Sequence, residues 1–180
     1  FAAEKHLATR PSWTFFFHWS EIVTEEIYGQ HRCVVIHTSN LPEGRGGTPL
    51  QNQILDGVVE SRVNAICMGK ELDGGDVYCS LPITLQGSIT DIWMSIADRA
   101  YELIQRCVTE SPEAAKQLGD PKSYKRNKNN EIPFRDTTEL LEVYRFIQML
   151  DGETYPRAFI DVGNFRLEFS RGKLEDTHIL

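Results

Sequence analysis

The sequence predicts an α/β domain: a mainly parallel sheet with flanking helices, closed by a helix and a β-hairpin. Three observations carry this. Strand-like apolar runs alternate with helical segments through the first two thirds of the chain. One of those runs, Cys33-Val34-Val35-Ile36, has no polar alternation, as expected of a strand covered on both faces. Near the C-terminus, Gly163-Asn164 separates two short runs rich in β-formers and marks a tight hairpin.

The elements follow in order. Thr14-Phe15-Phe16-Phe17 has strand length and strand composition. Ser20 caps a short helix over Glu21 to Tyr28, with acids in its first turn and Gly29 as its stop. Cys33 to Ile36 is the next strand, and the chain from His37 to Thr48 reads as irregular because of Pro42, Gly44, Gly46 and Gly47. Pro49 at a first helical position opens a helix to Leu55. Strands are predicted at Val63 to Met68 and Val77 to Ile83, then a long helix from Ile89 to about Val108, capped by Ser88. A polar connection over Gly119 to Arg135 carries Lys122, Lys125, Arg126 and Lys128. Thr137 or Thr138 caps a second amphipathic helix, Glu139 to Leu150, and the hairpin strands are Ala158 to Val162 and Phe165 to Ser170. Two units are expected, 1–135 as the α/β domain and 136–180 as a helix with the start of a small β subdomain.

Composition narrows the function. A chain of 180 residues with 41% hydrophobic and 25% charged residues is globular in make-up. The 19 Lys and Arg against 26 Asp and Glu give a net charge of −7, which argues against a nucleic-acid partner held by bulk electrostatics. No apolar run approaches the roughly 20 residues a bilayer span requires, so no membrane partner is expected. Cys33, Cys67, Cys79 and Cys107 show neither paired nor zinc-ligand spacing, and read as reduced thiols of a cytoplasmic protein. The chain begins at Phe1 rather than Met, which suggests a fragment or a processed chain.

The chemistry is expected at two loops. His37 follows the buried strand and can either point into the crevice beyond its carboxyl end or hydrogen-bond a loop carbonyl. Glu71-Leu72-Asp73-Gly74-Gly75-Asp76 can supply a carboxylate to orient an imidazole, or be a plain Asp-Gly turn. Arg45 can pair with a phosphate or carboxylate, or tie its own loop to Glu43 or to the helix after Pro49. A metal site built on Asp73, Asp76 and His37 is disfavoured, because no second His and no recognised ligand spacing accompany them. Neither the phosphate-loop nor the dinucleotide glycine pattern is present.

Together these loops carry a resemblance. The stretch from His37 through Thr38-Ser39-Asn40-Leu41-Pro42-Glu43-Gly44-Arg45-Gly46-Gly47-Thr48-Pro49 to Gln51 resembles the His-x-Ser-x-Leu-Pro…Arg-Gly…Pro segment of the 10-formyltetrahydrofolate-dependent formyltransferases. Leu72-Asp73-Gly74-Gly75-Asp76 is similar to that family's second motif, and Tyr155-Pro156-Arg157-Ala158-Phe159 to its later aromatic-Pro junction. The resemblance runs from about Phe15 to Ser170. It implies a Rossmann-like formyltransferase fold whose first βαβ unit would precede Phe1. It also implies 10-formyltetrahydrofolate as formyl donor and a small-molecule amine acceptor, most simply a nucleotide-linked amino sugar, with methionyl-tRNA or another small amine as an alternative and a non-catalytic folate- or partner-binding protein as another. A homodimer is the expected assembly.

Residue by residue, the resemblance makes His37 the group that stabilises the tetrahedral intermediate and Asp73 its holder. Both are expected to end strands at one sheet edge and to converge within about a hydrogen-bond length. The family's catalytic Asn stands two residues before the His, where this chain has Val35; Asn40 is the side chain expected to replace its hydrogen bond. The pterin is expected against Trp19, Ser20 and Glu21 and against Met68, Gly69 and Lys70. Acceptor phosphates are expected at Arg45, Lys125 and Arg126.

Overall fold

A computed structural model describes residues 11–133, 135 and 139–175. The central sheet has four strands, β1 (Thr14–Phe17), β2 (Cys33–Thr38), β4 (Glu60–Cys67) and β5 (Val77–Thr84), in the order β1-β2-β4-β5. Strand β2 pairs with β1 in parallel and with β4 antiparallel, and β4 pairs with β5 antiparallel. The α/β class is the expected one, but the strand directions need correction, since only one of these three pairings is parallel. The continuous apolar run of β2 did report a strand covered on both sides. It could not report which way the neighbours run, because burial on two faces is compatible with either direction.

The period of two sorts the sheet into unlike faces. Val34 and Ile36 of β2, Val63 and Ala65 of β4 and Leu81 and Ile83 of β5 point to one face and form the core. Against them lies α3 (Ile89–Glu110), which buries Ile89, Ile92, Ile96, Ala100, Leu103 and Cys107 along one stripe. Ser88 caps this helix by accepting from the Asp91 N–H at 3.1 Å. Leu50 and Ile54 of α2 (Pro49–Leu55) and Ile147, Met149 and Leu150 of α4 (Leu140–Leu150) complete the same cluster. The opposite face presents Val35, His37, Asn64 and Ser80, with His37 opposite Asn64 and Asn64 opposite Ser80.

Several expected boundaries move. The first helix shrinks to α1 (Glu25–Tyr28), with Thr24 rather than Ser20 at its N-cap; Ile22 is 92% exposed and α1 buries no residue, so no apolar stripe holds a longer helix. Helix α4 takes Glu139 as its N-cap, in a reciprocal capping box with Glu142. Thr137 and Thr138 lie outside the described residues. Two short strands were not expected: β3 (Glu43–Gly46), inside the irregular stretch, and β6 (Lys122–Tyr124), inside the polar connection, which pair in parallel. The C-terminal hairpin, β7 (Ala158–Val162) and β8 (Phe165–Phe169), is as expected. Ala158 of β7 reaches the central core, so the expected division near residue 135 is crossed by shared packing. No helix of the described residues is long and apolar enough to cross a membrane.

This packing generates two predictions. A Cβ added at Gly75 would lie 1.8 Å from the Cys67 carbonyl oxygen, far closer than non-bonded heavy atoms tolerate. Gly75→Ala is therefore expected to destabilise the protein by about 3 kcal/mol in urea unfolding, an overpacking effect, and wild-type stability would contradict this close approach. The thiols give a pH dependence. Burial pushes the Cys33 thiol up to about 11 and, with help from neighbouring Cys107, the Cys79 thiol to about 12, against 9.0 for a free one. Unfolding releases these thiols to ionise near pH 9, so the unfolded state binds fewer protons above that pH. Stability is expected to hold below pH 9 and to fall as pH rises toward 11, and a flat profile across that window would contradict the assignment.

Candidate functional site

The site forms on the polar face of the sheet. His37 is the penultimate residue of β2 and is 6% exposed. Its Nδ1 lies 3.5 Å from Asp73 Oδ2, and its Nε2 lies 2.9 Å from the Gly44 carbonyl oxygen. Both neighbours are acceptors, so the ring satisfies the two together only when both its nitrogens carry protons. Of the two alternatives left open by the sequence, the bond to a loop carbonyl is the one observed, and the Asp73 carboxylate stands beside the other ring nitrogen.

Asp73 reaches this position by a route the sequence did not suggest. It does not end a strand. Because β4 runs antiparallel to β2, its last residue, Cys67, sits near Val34, at the end of β2 remote from His37. The loop between β4 and β5 must fold back over the polar face to bring the carboxylate home. Gly75 allows the return by lying against the Cys67 carbonyl, and Asp73 itself adopts a left-handed φ of 52°. The returning carboxylate accepts from the Gly46 N–H at 2.9 Å. Gly46, at φ 95°, is fixed in turn by β6, where a Cβ would meet the Tyr124 carbonyl at 2.7 Å.

The other expected residues are distributed as follows. Asn40 is exposed and donates its amide to the Glu60 carbonyl at 2.9 Å. Trp19 is 46% exposed with its ring edge-on to Phe16, and Ser20 and Glu21 are exposed just beyond β1. Met68 donates its N–H to the Cys33 carbonyl at 2.9 Å, while Gly69 and Lys70 are exposed, and a Cβ at Gly69 would meet open space. The two segments therefore leave β1 and β4, the strands that flank β2. Arg45 gives its Nε and Nη2 to Gln117 Oε1 at 3.0 and 2.8 Å and its Nη1 to Glu71 at 3.4 Å, rather than to Glu43 or to α2. Lys125 and Arg126 are exposed; the Lys125 carbonyl accepts from Asn52 at 3.0 Å, and the Arg126 backbone lies against Gly47.

Three polar residues that organise the site were missed. Asn64, 3% exposed, donates to the Ser39 carbonyl at 2.7 Å and accepts from Ser80 Oγ at 2.6 Å, bracing the chain as it leaves His37. Gln53, 2% exposed, donates to the Thr38 carbonyl at 2.9 Å and accepts from Ser61 at 2.6 Å. Gln117 donates to the carbonyls of Asp73 and Gly75, both at 2.8 Å. A lone Asn inside the apolar run Val63 to Met68 was a usable signal for the first. Nothing in the local sequence marks Gln117.

With this geometry in hand, likeness to known proteins bears on the family. Residues 127–180 match the family model described as the C-terminal domain of methionyl-tRNA formyltransferase. Methionyl-tRNA formyltransferase from a Nitratiruptor species is 27% identical over 168 residues, 89% of this chain but 54% of that protein, so the chain spans about half the length of this curated relative. Among solved structures, the N-formyltransferase from Helicobacter canadensis in complex with folinic acid and dTDP-3-aminofucose shares the fold at 21% identity and a TM-score of 0.63, over 77% of this chain and 54% of that one. The structure of methionyl-tRNA formyltransferase from Clostridium thermocellum is 37% identical with a TM-score of 0.88, covering 96% of this chain and 76% of that one. Likeness of that degree, over most of both molecules, is a likeness of family and of the Rossmann-like formyltransferase fold together: the chain belongs to the formyltransferase family.

Proposed function

We propose that the protein transfers the formyl group of 10-formyltetrahydrofolate to an acceptor amine beside His37. The observation that carries this is the buried His37–Asp73 contact at 3.5 Å, formed by the two loops whose motifs resemble the family's. In the reaction the acceptor nitrogen attacks the formyl carbon, the bond from that carbon to the folate nitrogen breaks, and one proton passes from the amine to the leaving nitrogen. A ligand entering the site replaces the Gly44 carbonyl at His37 Nε2, which then donates to the developing oxyanion. Asp73 holds Nδ1 and balances the imidazolium charge. The pterin lies against Trp19, Ser20 and Glu21 on one flank and Met68, Gly69 and Lys70 on the other. Residues 1–135 carry the chemistry and 136–180 form the appended C-terminal unit of a cytoplasmic enzyme.

For the acceptor, the relatives from Clostridium thermocellum and Nitratiruptor described above bear the name methionyl-tRNA formyltransferase, which shifts the weight from the amino sugar favoured by the sequence toward methionyl-tRNA. The amino sugar is the second reading. It rests on the net charge of −7 and on the fold shared with an N-formyltransferase holding an amino-sugar nucleotide. In both cases Lys125, Arg126 and the remaining donor capacity of Arg45 face the acceptor's phosphates.

Val35 lies on the His37 face of β2 and cannot donate to an oxyanion, and Asn40 already commits its amide to Glu60. One such donor is worth about 10² to 10³ in rate. That absence favours a slow enzyme, and at its limit a non-catalytic folate-binding member.

The test is formylation of methionyl-tRNA, of a nucleotide-linked amino sugar and of simple amines with 10-formyltetrahydrofolate as donor. Turnover with at least one acceptor is expected, and folate binding without any transfer would leave only the non-catalytic reading. Asp73→Asn is expected to lower turnover by at least about 10² with folding intact; unchanged turnover would return Asp73 to a turn residue. Val35→Asn is expected to raise kcat by about 10-fold or more, a part of what an oxyanion donor supplies. A loss in that variant, with the fold preserved, would contradict the placement of Val35 beside the oxyanion.

A further inference from the structure

We propose that Gln117 is the positioning residue that sets Asp73 against His37, by clamping the β4–β5 loop to Arg45 of β3. The inference rests on the formyl-transfer reading for its kinetic consequence, and on geometry alone for its structural one.

The Gln117 amide uses its full hydrogen-bonding capacity. Its oxygen accepts from Arg45 Nε at 3.0 Å and Nη2 at 2.8 Å, and its nitrogen donates to the carbonyls of Asp73 and Gly75 at 2.8 Å each. The partners leave no choice of amide orientation, since guanidinium groups only donate and carbonyls only accept. Gln117 is itself fixed, because the chain after α3 pairs with the start of β5 through reciprocal Ala115–Val77 hydrogen bonds at 2.8 and 2.9 Å.

These contacts close a ring around the site. Arg45 and Gly46 are consecutive on β3, Gln117 grips Arg45, and Gly46 donates to the Asp73 carboxylate. Gln117 returns to the Asp73 backbone. So the carboxylate is held through Gly46 and the backbone through Gln117, both referred to one strand. The clamp is needed because Asp73 sits at φ 52°, a conformation a non-glycine residue keeps only when its surroundings impose it. The exposed Arg45–Glu71 pair at 3.4 Å is too weakly held to do this.

The variants are Gln117→Met, which keeps volume and removes every hydrogen bond, and Gln117→Glu, which keeps the acceptors for Arg45 but turns oxygens toward the two carbonyls. Three readouts are taken on the protein: exchange of the Gly46 amide, kcat and KM for 10-formyltetrahydrofolate turnover, and kcat in the Asp73→Asn background. Both variants are expected to speed Gly46 exchange about tenfold or more. They are expected to lower kcat by about 10- to 100-fold with KM for the folate within about twofold. In the Asp73→Asn background neither variant should cost anything further, because the residue it positions has lost its charge. Wild-type Gly46 exchange in folded Gln117→Glu, or a kcat loss that multiplies with that of Asp73→Asn, would overturn the proposal. Should the wild-type protein turn over no formyl folate, the formyl-transfer reading fails by itself. Gly46 exchange then decides alone: acceleration sustains the clamp and an unchanged rate overturns it.

Discussion

A carboxylate held 3.5 Å from a buried imidazole is the contact on which the arrangement of this site depends, and the direction of β4 makes it hard to form. The antiparallel pairing sends the Asp73 loop away from His37, so the chain must double back across the sheet. Features of the Leu-Asp-Gly-Gly-Asp loop and of β3 serve that return. Gly75 lies where no Cβ fits, Asp73 takes a left-handed turn, and Gly46 offers its N–H to the arriving carboxylate. The short parallel pair β3–β6 supplies the rigid edge against which the loop closes. What looks like irregular chain in the sequence is the frame of the site.

The two faces of the sheet divide the labour. One face is apolar and packs with α2, α3 and α4 in a core that reaches Ala158. The other carries His37, Asn64 and Ser80 in a row, each paired across the strands. Buried amides then secure the backbone: Gln53 holds the Thr38 carbonyl, Asn64 the Ser39 carbonyl, and Gln148 the Leu85 carbonyl. Leaving such carbonyls buried and unpaired would cost about 1–3 kcal/mol each, so these amides act as structural members of the fold.

How far the sequence could be read follows from the same physics. Helices α2 and α3 were legible because Pro49, Ser88 and a strong apolar stripe mark them locally. The His37 and Asp73 motifs were legible because their glycines and charged residues are compressed into short stretches. The strand directions were not, since a run such as Cys33 to Ile36 records that both faces are covered and not by what. β3 and β6 escaped notice because three- and four-residue strands rich in Gly and Lys have no period to detect. Gln117 was invisible for a different reason. Its significance lies wholly in partners from Arg45 and from Asp73 to Gly75, far from it in the chain.

The central claim is that a formylated folate is handled at His37. Its most direct test is a titration of the histidine-labelled protein with folinic acid, followed by NMR alongside calorimetry. The account predicts that the His37 ring resonances move along the calorimetric binding curve, as the ligand replaces Gly44 at Nε2. Saturable binding of folinic acid that leaves the His37 resonances unmoved would contradict it.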